Sequence, residues 1–190
     1  MTVAEPIRRQ WSRAEYYRMA ELGWLDGQRT ELVGGEVVVS NPQRFSHYAG
    51  IENVSAELTR VFGKGYWVRA QAPLALSAAS EPEPDVSVVV GCRDVYTDHP
   101  ATAVLVVEVS DTTLTFDRQQ KMSLYAQAGI PEYWIVNLVD RRIEVYRDPV
   151  ADPDQPFGYR YAEVRHASEN EIIAALEKLQ VAIAVADLLP

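Results

Sequence analysis

Two acidic residues stand at the ends of two valine-rich runs, and their positions point to shared chemistry. Asp85 opens the first run, in E-P-D-V-S-V-V-V, and Glu108 nearly closes the second, in V-L-V-V-E-V-S. Valine runs bounded by Pro, Gly and Asp predict buried strands. If these strands pair antiparallel with the two acids opposed, the β carbons lie about 5 Å apart on one face. Opposed like charges are destabilising, so this pattern indicates a cation between the two carboxylates.

A purely structural interpretation exists for each of the two acids. Asp85 could cap the turn that follows Pro84, and Glu108 could pair with an arginine. For Glu108 this interpretation is weak, because a carboxylate inside an apolar strand is largely desolvated, and buried acids are almost always paired or bound to metal. The only arginine close to it in the sequence is Arg118. The residues therefore favour a metal-binding or catalytic role for both acids.

Lys121 is the third candidate for chemistry. The chain has three lysines and fifteen arginines, so lysine is not its default cation. Asp117, Lys121 and Tyr125 follow one another at four-residue steps, on one face of a helix predicted to run from Asp117 to about Ala128. One interpretation is an ordinary Asp117–Lys121 ion pair, contributing about 0.3–0.5 kcal/mol. The other is an ammonium that orients an attacking water and stabilises charge on a phosphate.

The composition excludes several classes of protein. No apolar run approaches the ~18 residues of a membrane span and the N-terminus lacks the apolar segment of a signal peptide, which predicts a cytoplasmic protein without a membrane partner. The single cysteine, Cys92, excludes an internal disulfide framework and a multi-thiolate zinc site. The net charge of −9 argues against a general nucleic-acid coat. Residues 71–116 hold seven acids and one arginine, which indicates an acidic pocket or a solvated acidic rim.

The rest of the chain predicts the elements that position these residues. A capping box at Ser12–Glu15 predicts a helix to about Leu22. Apolar residues at three- and four-residue steps, from Tyr48 to Phe62, predict a second helix over 46–62. Strands are predicted at 30–33 and 36–39 (a hairpin), 66–70 with a continuation over 73–76, 85–90, 101–110, 132–138, 141–147, 159–165 and 181–185. Residues 148–158 are predicted to be a loop, and residues 171–179 either a helix or a short strand and turn.

These elements predict an α+β fold with a mixed, mostly antiparallel sheet and two principal flanking helices. We expect one domain over residues 1–190, with residues 1–28 as a helical lead-in.

The ordered motifs resemble the bacterial putative restriction endonuclease family of the Uma type, a branch of the PD-(D/E)-x-K nuclease superfamily. The resemblance is carried by P-D-V-S-V-V, V-V-E-V-S, D-x-x-x-K-x-x-x-Y and A-G-I-P-E-Y-W-I-V. E-L-V-G-G-E-V-V and a histidine at the start of the next helix also match. The likeness spans about residues 30–147 and continues weakly to the C-terminal tail. The P-D element alone is weak evidence, but the ordered set is specific.

The resemblance implies a restriction-endonuclease-like core in which Asp85 and Glu108 coordinate Mg²⁺, with Mn²⁺ as the alternative ion. In the superfamily the lysine usually stands two residues after the glutamate, where this chain has Ser110. The resemblance therefore assigns the lysine role to Lys121. Asp117, on the same predicted helical face, is an additional candidate.

Two further candidates come from the N-terminal half of the resemblance. It implies that Glu31 is an additional acid near the site and that His47 is a neighbour of the phosphate. From the residues alone, Glu31 could be a solvated strand residue and His47 a surface or capping residue.

The implied function is Mg²⁺-dependent hydrolysis of DNA by a homodimer. Because the chain is acidic, a DNA-binding surface would have to be local, and the candidate cations are Arg8, Arg9, Arg13 and Arg44. Two alternatives stay open at this point. One is a catalytically inactive dimeric binding or regulatory module of the same fold, and the other is a metal-dependent hydrolase of small phosphate esters.

Overall fold

A computed structural model describes residues 9–190, and its central feature is a six-stranded mixed sheet. The strands lie in the order in which they occur in the chain: β3 (Tyr66–Ala70), β4 (Val86–Val90), β5 (Leu105–Ser110), β6 (Glu132–Asn137), β7 (Arg142–Ala151) and β8 (Tyr159–Ser168). All neighbouring strands are antiparallel except β5 and β6, which are parallel. The predicted α+β class and the mostly antiparallel sheet are confirmed.

Three helical regions, three 3₁₀ turns (Arg93–Val95, Leu176–Lys178 and Val185–Asp187) and two small sheets complete the described part of the chain. The helices are α1 (Arg13–Glu21), α2 (Phe45–Phe62) and a third segment that begins as α3 (Leu114–Phe116), continues as a π-helical turn (Asp117–Lys121) and ends as α4 (Met122–Gln127). The small sheets pair β1 (Thr30–Val33) with β2 (Glu36–Val39), and β9 (Ile172–Ile173) with β10 (Ile183–Ala184). Within residues 9–190, no helix is both long and apolar enough to cross a membrane.

Helix α2 covers one face of the sheet because its apolar residues form a stripe. The buried members of the stripe that contact the core are Ile51, Val54, Leu58, Val61 and Phe62. At Gly50 a β carbon would lie 3.0 Å from the Val109 side chain, so glycine allows a close approach of the helix to the sheet. Tyr48 was predicted to belong to the stripe but is 50% exposed, because it precedes this contact.

The third helical segment covers the other face of the sheet. Met122, Tyr125 and Ala126 pack there against Val106 and Ile135. Side chains alternate between faces along a strand, so Glu108 points to the same face as Val106, whereas Val107 and Val109 lie in the core beneath α2. Glu108 is therefore held beneath the segment that carries Lys121.

The predicted start of this helical segment was wrong by three residues. The segment begins at Leu114, and the Asp117 backbone N–H already donates to the Thr113 carbonyl, so Asp117 lies inside the helix instead of at its start. The residues from Asp117 to Lys121 then form a π-helical turn. Such turns are rare and occur often at functional sites.

Several predicted strand boundaries also differ from the structure: β5 begins at Leu105 instead of residue 101, and β8 continues to Ser168. Residues 73–76 are not a strand. The predicted loop over 148–158 is shorter, because β7 extends to Ala151 by pairing with β8 beyond the end of β6, where Pro149 needs only one neighbouring strand. The strand predicted over 181–185 is reduced to β10, which pairs with β9 and is not an edge of the main sheet. Of the two alternatives for 171–179, the short strand and turn is correct.

Candidate active site

Asp85 and Glu108 meet across adjacent strands, as the sequence predicted. Val86 pairs with Val107 in antiparallel register, which places Asp85 opposite Glu108 one step further along. The Asp85 backbone N–H donates to Glu108 Oε2 over 3.2 Å, and the Val109 N–H donates to Asp85 Oδ2 over 2.8 Å. Both side chains are buried. The register therefore fixes the two carboxylates beside each other.

Lys121 reaches this pair of acids from the π-helical turn. Its Nζ lies 3.1 Å from Glu108 Oε1 and 2.6 Å from Glu31 Oε2, and the residue is only 3% exposed. Among the residues that the structure describes, no ion pair joins Lys121 to Asp117, so the ordinary helical pair is not formed. Burial lowers the pKa of Lys121, but the carboxylates of Glu108 and Glu31 outweigh this effect, and the ammonium stays charged.

Glu31 belongs to the same cluster, although it comes from the β1–β2 hairpin. Its Oε2 accepts a hydrogen bond of 2.9 Å from the Glu83 backbone N–H in addition to the contact with Lys121. The residue is buried, so the solvated interpretation is wrong. The hairpin is docked by reciprocal backbone hydrogen bonds between Leu32 and Glu81, which brings Glu31 to the edge of the main sheet.

His47 contacts the same cluster from the first turn of α2. Its Nε2 lies 3.1 Å from Asp85 Oδ2, and its Nδ1 is buried with no hydrogen-bond partner among the described residues. Burial lowers the pKa of His47, but the hydrogen bond to Asp85 and the negative charge of Asp85 together outweigh burial, so the pKa lies above its ordinary value. The structure thus places His47 beside the acids, and its predicted role toward a phosphate stays a prediction.

Asp117 lines the wall of the same region, and Ser110 lies behind that wall. Ser110 is fully buried, and its Oγ lies 3.4 Å from Thr113 Oγ1. Thr113 Oγ1 donates to Asp117 Oδ2 over 2.6 Å. Burial raises the pKa of Asp117 to about 6, despite the hydrogen bonds from Thr113 and Ser110. Ser110 therefore supports the wall through Thr113 and does not line the pocket.

Tyr125 is a member of the site that sequence reasoning did not assign to it. Its hydroxyl donates to Glu108 Oε1 over 2.7 Å. Burial and the neighbouring Glu108 raise the pKa of Tyr125 well above its ordinary value, so the hydroxyl stays protonated and acts as a donor. The four-residue spacing from Lys121 to Tyr125 was the available signal, because residues at this spacing share a helical face.

Glu108 is the most perturbed acid of the cluster. Burial raises its pKa to about 8, against the opposing effect of the Lys121 ammonium and with the help of Asp85, Asp117 and Glu31. The pKa of Glu108 therefore lies near neutral pH, where a positive charge close by favours its ionised form. Perturbed groups of this kind in a cleft mark a candidate functional site.

The cluster lies at the bottom of a cavity of about 370 Å³. Its lining includes acidic, basic and uncharged polar residues from five parts of the chain, namely Arg29, Glu31, Arg44, His47, Glu83, Asp85, Glu108, Asp111, Thr113, Asp117 and Lys121. Arg29 donates to Glu83 over 2.6 Å. No ion pair or side-chain hydrogen bond reaches Arg44 within residues 9–190, so its guanidinium is available at the pocket.

The other predicted DNA-contacting arginines do not line the cavity. Arg9 pairs with Glu15, and Arg13 pairs with the buried Glu81. Arg8 lies outside the described residues. The local cationic surface predicted from the sequence is therefore reduced, at the cavity itself, to Arg44.

Whether Asp85 and Glu108 can bind a metal ion depends on which of their carboxylate oxygens have a free lone pair. Glu108 Oε1 accepts from Tyr125 and Lys121, whereas Oε2 accepts only from the Asp85 N–H. Asp85 Oδ2 is occupied by Val109 and His47, and no hydrogen bond from the described residues reaches Oδ1. Because each carboxylate oxygen has two lone pairs, Asp85 Oδ1 and Glu108 Oε2 can each accept a further partner.

This donor set fits a hard cation that keeps most of its water. In the described part of the chain, no group of three or more His, Cys, Asp or Glu side chains is arranged to hold a metal ion. The described residues therefore contain no closed structural site of the zinc type. Mg²⁺ commonly takes one or two carboxylates, together with water and substrate oxygens. The two free carboxylate oxygens are therefore compatible with Mg²⁺.

Comparisons with known proteins identify a family and a shared fold. The model of the Uma2 family, described as "Putative restriction endonuclease", matches residues 13–186. Among solved structures, the crystal structure of a putative nuclease belonging to DUF820 from Anabaena variabilis ATCC 29413 is similar, with a TM-score of 0.63 and 12% sequence identity over 85% of this chain and 89% of that chain. At this identity the likeness shows a shared fold. A search of curated proteins finds no match.

Proposed function

Because the chain belongs to the Uma2 family of putative restriction endonucleases, we propose that it is a Mg²⁺-dependent DNA endonuclease that hydrolyses phosphodiester bonds. One observation carries the proposal: two carboxylates on adjacent strands, Asp85 and Glu108, meet a buried ammonium, Lys121, at the bottom of a cavity. This combination of hard oxygen donors and a fixed cation suits chemistry on a phosphate.

Asp85 and Glu108 are the residues that would hold the ion, through Oδ1 and Oε2. When bound, Mg²⁺ would polarise the phosphate and lower the pKa of a bound water, and Mn²⁺ offers the same oxygen preference. Tyr125 and Lys121 hold Glu108 by its other oxygen, so the free lone pair of Oε2 is kept in a fixed direction.

The Lys121 ammonium already carries its positive charge before the reaction begins. An ammonium has three donors, and the contacts with Glu31 and Glu108 use two of them. The third donor is free to orient an attacking water or to stabilise negative charge that develops on the phosphate. Glu31 holds the ammonium in place, and its burial keeps water from competing for that contact.

A second candidate function is a catalytically inactive dimeric binding or regulatory module. The observation that favours it is Ser110, which occupies the position where the superfamily usually has its lysine. A third is hydrolysis of small phosphate esters. For the endonuclease we propose a homodimer, because cutting both strands of DNA is simplest with two sites.

Incubation of the purified protein with plasmid DNA and Mg²⁺ tests the proposal. We expect wild-type protein to cleave, and Asp85→Asn and Glu108→Gln to reduce cleavage by at least about a hundredfold. Glu57→Gln, at the far end of α2, serves as the control and should cleave like wild type. Cleavage that persists in both site variants would exclude this site.

Thermal unfolding with and without Mg²⁺ separates the alternatives. A ligand of the native state raises the unfolding midpoint, so the nuclease proposal predicts a Mg²⁺-dependent increase that both site variants lose. Absence of both cleavage and stabilisation would support the binding module. Hydrolysis of an aryl phosphate without DNA cleavage would support the small-ester hydrolase.

A further inference from the structure

A row of side chains crosses the sheet beneath the π-helical turn. Glu108 in β5 is opposite Ile135 in β6, and Ile135 is opposite Glu144 in β7. Directly opposed residues point to the same face of a sheet. Because neighbouring strands lie about 4.8 Å apart, the two glutamates stand roughly 10 Å apart on the face that the π-helical turn covers.

The π-helical turn binds both ends of this row. Lys121 Nζ lies 3.1 Å from Glu108 Oε1. Three residues earlier, Arg118 donates through Nε to Glu144 Oε2 over 3.0 Å and through Nη2 to Glu144 Oε1 over 2.5 Å. Such a two-pronged pair fixes direction as well as distance. The place of Lys121 over β5 is therefore coupled to the attachment of Arg118 over β7.

Glu144 is a rigidly held partner for Arg118. It is 0% exposed, and it also accepts hydrogen bonds from Asn137 over 2.8 Å and from Tyr146 over 2.9 Å. Burial raises the pKa of Glu144, but the bonds from Arg118, Asn137 and Tyr146 outweigh burial and lower the pKa to about 2. The carboxylate therefore stays charged and is held by two strands of the sheet.

Neither Arg118 nor Glu144 lines the cavity, so neither residue is placed to touch a substrate. We propose that they are positioning residues, which hold the π-helical turn in the register that brings the Lys121 ammonium to Glu108 and Glu31. The effect of Arg118 and Glu144 on catalysis rests on the proposed function, whereas their effect on the position of Lys121 does not. Without the anchor, we expect the turn to shift and the ammonium to leave its two carboxylates.

The β6–β7 pair offers a matched control on the opposite face of the sheet. Arg147 donates through Nε and Nη2 to Glu132 over 2.8 and 2.6 Å, and Glu132 is buried like Glu144. Arg118→Met and Arg147→Met each remove the two-pronged arginine of one buried glutamate on these two strands, although Glu144 keeps the Arg142 Nε at 3.5 Å. Only the first variant removes an anchor of the π-helical turn.

The reactivity of lysine amines provides a measurement that does not depend on nuclease activity. The chain has three lysines, and Lys64 is exposed whereas Lys121 is buried. Treatment with an amine-acylating reagent, followed by mass spectrometry of each lysine, reports the protection of Lys121. We expect acylation of Lys121 to become about tenfold faster in Arg118→Met and to stay unchanged in Arg147→Met, with Lys64 as the internal reference in both.

Activity provides the second measurement. A small displacement of a catalytic group lowers the rate of the chemical step by about a hundredfold, so we expect Arg118→Met to lower kcat by this order while KM changes less than about twofold. Thermal unfolding confirms that each variant is folded at the assay temperature. If Arg118→Met does not fold, Glu144→Gln replaces it, with Glu132→Gln as its control.

The outcomes distinguish the inference from the proposed function. Unchanged acylation of Lys121 in the Arg118→Met protein, or an equal increase in the control, overturns the positioning role. Selective exposure of Lys121, in a protein whose wild-type form cleaves no DNA, supports the positioning role and contradicts the nuclease. Cleavage by wild type and by Arg118→Met at the same kcat supports the nuclease and overturns the positioning role.

Discussion

Lys121 brings an ammonium to Glu108 from a helix instead of from the strand that carries the glutamate. Ser110 stands two residues after Glu108 on β5 and points to the same face, but its short side chain contacts Thr113. The helical segment above the sheet supplies the cation in its place. The site therefore depends on how that segment docks, and not only on the pairing of two strands.

Removal of this ammonium should destabilise the protein as well as inactivate it. Lys121→Met leaves the buried carboxylates of Glu31 and Glu108 without their cation, and loss of one partner from a buried ion pair costs about 3–5 kcal/mol. Lys64→Met, at an exposed position, should change the free energy of unfolding by less than about 0.5 kcal/mol. Urea unfolding of both variants measures the difference. Equal losses would contradict the structural importance of the Lys121 contacts.

The raised pKa of Glu108 makes Mg²⁺ binding dependent on pH. Below its pKa of about 8 the carboxyl group holds a proton that must leave before a metal ion can bind. At a fixed Mg²⁺ concentration, the increase in unfolding midpoint should therefore grow from pH 6 to pH 8 and then level off. A constant increase over this range would contradict a titrating Glu108 at the metal site.

In the metal-free protein, the raised pKa of Glu108 makes the free energy of unfolding decrease as the pH rises. The folded-state pKa lies above the ordinary value of 4.5, so in the window between 4.5 and about 8 the folded state binds more protons than the unfolded state. The free energy of unfolding contributed by this group is fully present below pH 4.5 and is lost as the pH rises to about 8. Glu108→Gln, which cannot titrate, should remove this part of the pH dependence.

Elements with local signals were predictable from the sequence, and the π-helical turn was not. The capping box of Ser12 and Glu15 is present at the start of α1, and the β1–β2 hairpin has its predicted bounds. The π-helical turn has no such local signal. It is held by contacts with distant residues, including the bond from the Tyr133 hydroxyl to the Asp117 carbonyl and the Arg118–Glu144 pair. A sequence pattern read over a few turns contains none of these contacts.

The extent of the α2 stripe can be tested by two substitutions on one helix. Leu58 is fully buried against the sheet, so Leu58→Ala should lower the free energy of unfolding by about 2–5 kcal/mol. Tyr48→Ala should change it by less than about 0.5 kcal/mol, because half of the tyrosine is exposed. Chemical denaturation of both variants measures the two losses. Similar losses would mean that the first turn of α2 packs as tightly as its centre.

At the scale of the whole molecule, the site joins residues that are far apart in the chain. The contact between Lys121 and Glu31 spans 90 positions. The valine runs predicted the two strands that carry Asp85 and Glu108, and the register that opposes the two acids comes from the structure. Glu31 and His47 were secondary candidates that only the family resemblance tied to the site, since docking of the hairpin and of the first turn of α2 leaves no local pattern in the sequence.

The net charge of −9 limits how the protein can attract DNA. Long-range attraction to phosphates cannot come from the molecule as a whole, so it must come from single cations near the cavity. Arg29 is already paired with Glu83, and Lys121 with two acids. Within residues 9–190, Arg44 is the arginine of the cavity lining without such a partner. We therefore expect few phosphate contacts and a shallow dependence of DNA binding on salt.

Arg44 and Arg60 stand at opposite ends of α2 and provide the comparison that tests this expectation. Only Arg44 lines the cavity, whereas Arg60 pairs with Glu57 on the helix surface. Each phosphate contact contributes about 0.9 to the slope of log K against log salt concentration. In an Asp85→Asn background that blocks cleavage, Arg44→Ala should reduce this slope by about 1 and weaken binding at every sequence alike, and Arg60→Ala should leave both unchanged. Equal effects of the two substitutions would mean that DNA approaches a different face of the protein. The cavity would then not be the site that binds the phosphate.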